Sequence, residues 1–343
     1  MNYKNIKEIL KKFWFVILVG TILVSVSIFF VWDTTKDTIV GKTVDGKDVI
    51  FSLSDENYTA DDYYKGLYNT TTANEDGVAI KNGDAYLYTL LEKEVISQSV
   101  KTTDALKKEA NKIFKANKEG FEAQMGSQYE SYIDAEMKKL GYSGIDDFET
   151  FYLDLLKAQL FQKKYIESHE EISDLIFNDT ESARVLAHIF VSSKTPDAPT
   201  DTEKNKMETI NSRLKTDDFG KVAKDLSDDS GSASNNGNVG VQIKSSELTD
   251  AYKAVAWKLA AGETSEWVKT DDGFYLIQVV ETDQKKILKN SDYDESVVEA
   301  VTLLRANFKR EIVWEKSKEL KVKFADEETK KSIMTYIGVK EEE

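Results

Sequence analysis

The sequence predicts an α+β protein, and three observations carry that prediction. Residues 183–191, ARVLAHIFV, form an alternating apolar run of the kind a strand makes. Residues 61–178 and 292–338 instead repeat apolar side chains at spacings of three and four, the period of a helix. Between these helical stretches, strand-like and helix-like runs alternate around a loop rich in Ser, Gly and Asn, SDDSGSASNNGN. Each flanking helical stretch has an apolar face that needs a partner, so the expected plan is one helical domain interrupted by an inserted domain. A length of 343 residues suits two compact units.

In chain order, residues 1–12 carry four lysines and one glutamate, and read as a cytoplasmic basic segment. Phe13 to Trp32, FWFVILVGTILVSVSIFFVW, is a run of twenty residues without a charge. At about 1.5 Å per residue it spans about 30 Å, the thickness of the hydrocarbon core of a bilayer. Phe13, Trp14 and Trp32 put aromatic rings at both ends. The lysines precede the run, so the expected topology is a single-pass anchor with the N-terminus in the cytoplasm and the bulk of the chain outside the cell. The competing reading is a cleaved signal peptide; the run is too long for an ordinary apolar core of one, and no small-residue cleavage site follows in WDTTKDTIV.

Residues 33–180 are expected to form an all-α, chaperone-like domain, opened by a short strand or arm, Lys47–Leu53, after the turn Asp45-Gly46. Thr102-Thr103-Asp104 offers a helix cap, and Leu106, Ala110, Ile113 and Phe114 follow on one face. Gly141-Tyr142-Ser143-Gly144 breaks the pattern before Phe151, Leu155, Leu160 and Phe161 resume it. These stripes are read as core. Residues 181–284 are the inserted domain: a strand, helices, the Ser/Gly/Asn loop, a strand, a helix and a closing hairpin. Residues 285–343 return to helix through Val297, Val301, Leu304, Phe308 and Ile312, stop at Gly338, and are expected to pack back on the N-terminal helices.

The composition excludes several function classes. The formal charge is −15 and no basic stripe appears, so nucleic acid is not a partner. There is no Cys, which removes disulfides, thiolate metal sites and thiol nucleophiles, and there are only two His, which removes a His-based metal centre. His169, in the polar tract ESHEE, reads as solvated. No G-x-S-x-G, H-E-x-x-H or P-loop occurs. No metal and no cofactor are expected.

Six short patterns in the inserted segment fall in one order: A-x-I with its His, D-F-x-x-x-A, S-x-D-S, a G-x-x-G strand start, A-x-x-L-x-x-G-E-x-S, and a final G-F-x-x-I strand. In that order and spacing the segment resembles a parvulin-type peptidyl-prolyl isomerase domain. With the flanking helices and the anchor, the whole chain resembles membrane-anchored extracytoplasmic foldases of the PrsA, SurA and PpiD type. The resemblance implies a four-stranded antiparallel sheet with surrounding helices. It also implies catalytic roles for His188, Asp229, Tyr275 and Asp272, and a substrate pocket bounded by Val239, Leu248, Tyr252 and Thr270. The implied partners are unfolded or newly exported proteins and the membrane, with a homodimer left open.

Tyr275 stands where such domains usually carry a second His, in the pattern G-[FY]-H. Asn236 and Asn238 depart from the usual Gly-Gly-Asp, although Asn tolerates left-handed backbone. Read from the residues alone, His188 is a core histidine on a strand, and Asp228, Asp229, Asp271 and Asp272 are turn residues. Two functions therefore stand side by side: an isomerase acting on X-Pro bonds, and a non-catalytic chaperone or scaffold whose inserted domain is structural or binds peptides.

Overall fold

The computed structural model describes residues 42–44, 47–54, 56–61, 63–64, 72–73, 79–80 and 83–339. The basic segment 1–12 and the apolar run 13–32 lie outside the described residues. Among the described residues, no helix is long and apolar enough to cross a membrane. The chain divides into two compact units: Lys163–Ala306 is one, and the described residues before Lys163 together with those from Asn307 form the other.

The second of these units is not all-α. It contains strands β1 (Lys42–Val44), β2 (Lys47–Leu53) and β3 (Glu56–Thr59), a small hairpin of β4 (Thr72–Ala73) and β5 (Ala79–Ile80), and a further strand, Lys323–Phe324. β2 is the centre of an antiparallel sheet with β1, β3 and Lys323–Phe324 as its neighbours. The expectation of an all-helical domain fails because the strands that join the expected Lys47–Leu53, the later Lys323–Phe324 among them, are only two to four residues long, too short to show a period of two. Lys323–Phe324 becomes a strand only through the far end of the chain. Phe324 lies opposite Phe51, and the Ala325 amide donates to the Ile50 carbonyl at 2.8 Å. The helices follow the sequence pattern. Thr103 caps the helix Asp104–Met125 by accepting from the Leu106 amide at 3.2 Å. Phe121, Ile133, Met137, Phe148 and Tyr152 share one core. The helix Gly83–Ser99 packs against Phe308–Glu319 and Glu327–Ile337, so both ends of the described chain build this unit.

The Lys163–Ala306 unit is larger than the 181–284 segment expected of the inserted domain. The helix Asp294–Leu304 buries Val297, Val298, Ala300 and Val301, and packs against the helix Glu170–Phe177 and against β7 (Asn238–Gln242). A Cβ on Gly240, in β7, would sit 2.7 Å from the Ser296 Cβ, a measure of how closely that helix approaches the sheet. The fully buried Lys163 ammonium reaches into the same segment: it pairs with Asp294 at 2.8 Å and hydrogen-bonds the Leu288 carbonyl.

This unit's sheet has the order β7, β6 (Arg184–Ser192), β9 (Gly273–Glu281), β8 (Val268–Thr270), antiparallel throughout. Alternation along β6 assigns each residue to a face. Ala187, Ile189 and Val191, with Phe274 and Leu276 of β9, pack under Ile210, Phe219 and Val222 of the helices Asp201–Arg213 and Phe219–Leu226. Leu186, His188 and Phe190, opposite Val279, Ile277 and Tyr275 in register, face the other way.

Candidate functional site

The site forms on that second face, where a strand with a uniformly apolar opposite side places one imidazole. Tyr252, carried by the helix Asp250–Ala256 and capped by Thr249, packs with Leu186, Ile277 and Val279; Val239, Leu248 and Tyr275 lie against the same cluster. His188, Tyr252 and Tyr275 form a triangle of rings. The His188–Tyr275 centroids are 5.1 Å apart, Tyr252–Tyr275 5.3 Å and His188–Tyr252 5.9 Å, all edge-to-face.

The imidazole is held at both nitrogens. Nε2 lies 2.8 Å from Asp229 Oδ2 and Nδ1 lies 3.2 Å from the Tyr252 hydroxyl. A carboxylate can only accept, so in the neutral ring Nε2–H donates to Asp229 and the Tyr252 phenol donates to Nδ1. Asp229 is itself positioned by the loop. It caps the short helix Ser230–Ser234, where its carboxylate accepts from the Gly231 amide at 3.1 Å and from the Ser232 hydroxyl at 2.6 Å. The His188 hydrogen bond, reinforced by those of Ser232 and Gly231, holds the Asp229 carboxyl well below the usual carboxylate range, against burial acting the other way. Burial, Tyr275 and Asp229 raise the Tyr252 phenol, so it stays a donor. Tyr275 is likewise raised, by burial first and then by Asp272 and Asp229. Its hydroxyl has no hydrogen-bond partner among the described residues.

The chain approaches closely around this network. Asn236 takes the left-handed conformation its side chain tolerates, with φ 55°. Gly237 follows at φ 79°, and its carbonyl accepts from the His188 amide at 2.8 Å. A Cβ there would sit 2.8 Å from the His188 carbonyl oxygen. The substitution of Asn for Gly at 236 therefore leaves the turn in place, while Gly237 has no room for a side chain.

Of the eight residues singled out in the sequence, six gather here: His188, Asp229, Tyr275, Val239, Leu248 and Tyr252. Thr270 and Asp272 do not. The Thr270 hydroxyl is buried and donates to the Gly273 carbonyl at 3.2 Å. Asp272 is exposed in the β8–β9 turn, where its backbone carbonyl accepts from the Ser193 amide at 3.0 Å. Both shape the hairpin; Asp272 reaches the site only through its field on Tyr275. Three contributors were missed. Ser232 steadies Asp229; Ser227 accepts from the Phe190 amide at 3.0 Å; the Phe190 ring stacks on Tyr275 at 4.4 Å. Ser227 opens the SDDS motif that contains Asp229, and the position two residues after His188 on an alternating strand contained the signal for Phe190.

Residues 188–281 match the family described as Rotamase, PPIC-type PPIASE domain. The segment is a parvulin-type peptidyl-prolyl isomerase domain. Around it, the chain is similar to proteins named foldase protein PrsA. It is 27% identical to that of Geobacillus kaustophilus (strain HTA426) over 71% of this chain and 74% of the relative. Against that of Staphylococcus epidermidis (strain ATCC 35984) the identity is 31%, over 59% and 66%. The crystal structure of PrsA from Bacillus subtilis, 22% identical, covers 83% of this chain and 98% of its own, with a TM-score of 0.44.

Proposed function

We propose that this protein is a membrane-anchored extracytoplasmic foldase whose inserted domain isomerises X-Pro bonds of exported proteins. The observation that carries the reading is the fixed imidazole: His188, held between Asp229 and Tyr252 at the floor of an apolar face with the free Tyr275 hydroxyl beside it.

The chemistry asks little covalent work of the protein. Turning an X-Pro bond opposes its partial double bond, a barrier of about 18–20 kcal/mol. Nothing is broken, so no nucleophile is required. The protein must bind the twisted amide better than the planar one. Val239, Leu248 and the Tyr252 ring offer apolar surface for a pyrrolidine ring. As conjugation is lost, the prolyl nitrogen regains its lone pair, and a hydrogen-bond donor aimed at it stabilises the twist. The Tyr275 hydroxyl is that donor. Asp229, Tyr252 and His188 form a rigid floor that does not need to reorganise while the bond turns.

The anchor is residues 13–32, with the body of the chain outside the cell; their length, interfacial aromatic residues and preceding lysines support this. Protease added to intact cells should remove a C-terminal tag while leaving an N-terminal one, and protection of the C-terminal tag sinks the topology. For the enzyme, isomerisation of a short Pro peptide is expected in the wild type and about 100-fold more slowly in Asp229→Ala; equal background rates in both reject it.

One feature favours a second reading. Tyr275 stands where the resemblance expects an imidazole, which suits a domain that binds peptides without turning them. Suppression of aggregation of a Pro-free client that survives simultaneous His188→Ala, Asp229→Ala and Tyr252→Ala would show chaperoning that does not use this face.

A further inference from the structure

The helical unit contains a cavity of about 270 Å³ among the helices Gly83–Ser99 and Phe148–Ser168 and the 140–142 break. Leu90, Leu140, Phe151 and Leu155 give it apolar walls, and Leu155, 42% exposed, marks its opening to solvent. Three lysines and three carboxylates also line it, and two of the lysines pair with two of the carboxylates. Lys93 lies 3.7 Å from Asp154, which also accepts from the Tyr142 hydroxyl at 2.9 Å. Lys309 pairs with Glu92 at 2.7 Å, and Glu94 accepts from the Tyr58 hydroxyl at 2.8 Å.

The remaining lysine is Lys157. It is 5% exposed, and its only hydrogen bond among the described residues is to the Ser97 hydroxyl, at the long limit of 3.5 Å. Lys163, the chain's other deeply buried lysine among the described residues, shows what such a group normally requires: two carboxylates, Asp294 and Glu167, at 2.8 and 3.0 Å. A buried ammonium without an anion is costly, and a lining that leaves one facing a cavity is complementary to an incoming anion.

We propose that this cavity binds an acidic side chain, flanked by apolar ones, of an extended client peptide, with Lys157 as the cation that selects it. The inference rests on the client-binding reading above and names the sequence class the helical unit prefers. The volume lies just under the range of about 300–1,000 Å³ that holds a drug-sized ligand, so it suits one or two side chains while the peptide backbone passes over the mouth.

The test uses the full chain and two labelled Pro-free octapeptides that differ only in Glu against Gln between leucines, read by fluorescence anisotropy. The Glu peptide is expected to bind at least about tenfold more tightly, an order set by the value of a charge-assisted contact. Lys157→Met is expected to bring the two affinities within twofold, and Lys157→Arg to retain the preference. Ser97→Asp supplies the missing carboxylate from within and is expected to abolish the preference, which keeps the test decisive should Lys157→Met fold poorly. Equal binding of the two peptides by the wild type, or a preference unchanged in Ser97→Asp, overturns the proposal. Isomerisation of a short Pro peptide is expected to be the same in Lys157→Met as in the wild type, so loss of the acid preference and loss of the isomerase reading are separately visible.

Discussion

The two faces of the β7-β6-β9-β8 sheet are built from alternate residues of the same strands, yet they serve different ends. One face packs Ile189, Val191 and Leu276 under Ile210 and Val222. The other carries His188 and Tyr275 between Leu186 and Ile277, and takes Asp229 and Tyr252 from a loop and a helix. The difference teaches that a polar network can be held rigid on a strand whose reverse side supplies the stability. Substitution on the apolar face should therefore change how much protein is folded, and substitution on the polar face should change what the folded protein does.

The largest expected effect breaks the apolar side. Ile189 is completely buried, and Ile189→Ala should lower unfolding stability by roughly 2–5 kcal/mol, measured by denaturant titration. The isomerisation rate per folded molecule should stay near wild type; a proportionate loss of rate would mean that the faces are not separable. On the polar side, Asp229→Ala should reduce kcat/KM for a Pro peptide by about 100-fold, the scale of one preorganised electrostatic contact, with a smaller change in the unfolding midpoint. Next comes Tyr275. Removing its hydroxyl in Tyr275→Phe should cost about tenfold in kcat/KM, while Tyr275→His should match or exceed the wild type. A phenylalanine variant as active as wild type would remove the hydroxyl from the mechanism.

The smallest effect is the acid dependence of stability. The native state depresses the Asp229 carboxyl, so its contribution is present above the unfolded value of about 3.9 and is lost as pH falls through the lower native value. Asp197, Asp217 and Glu203 are lowered too, by Lys269, Arg213 and the Thr200 backbone amide respectively, and will share the acid limb. The comparison is therefore between variants: stability should fall less steeply below pH 4 in Asp229→Asn than in the wild type. Parallel curves would mean that the Asp229 network is not formed in solution.

How far the sequence could be read varied with the range of the interaction. His188, Asp229 and Tyr275 were legible because short patterns fix them on a strand or in a turn. Tyr252 was legible as pocket wall but not as the donor to His188 Nδ1, a contact between residues 64 apart. Thr270 and Asp272 were assigned to the site because they precede β9, yet a tight β8–β9 turn leaves one buried under its own hairpin and the other in solvent. Beyond the strand expected at Lys47–Leu53, the helical unit was read as all-α because strands of two to four residues cannot show a period, although Phe324 pairs with Phe51. The apolar stripe Val297–Val301 states that a helix face is buried and is silent about what covers it; in the structure that face meets both the helix Glu170–Phe177 and β7.

By itself the sequence determined the elements, their faces and the local turns, since side-chain period, capping residues and Asn or Gly at left-handed positions act within a few residues. Only the tertiary structure decided which buried polar groups found partners, because that depends on segments far apart in the chain meeting at hydrogen-bonding distance. Lys163 met Asp294, His188 met Asp229 and Tyr252, and Lys157, in an equally helical setting, met only a distant hydroxyl.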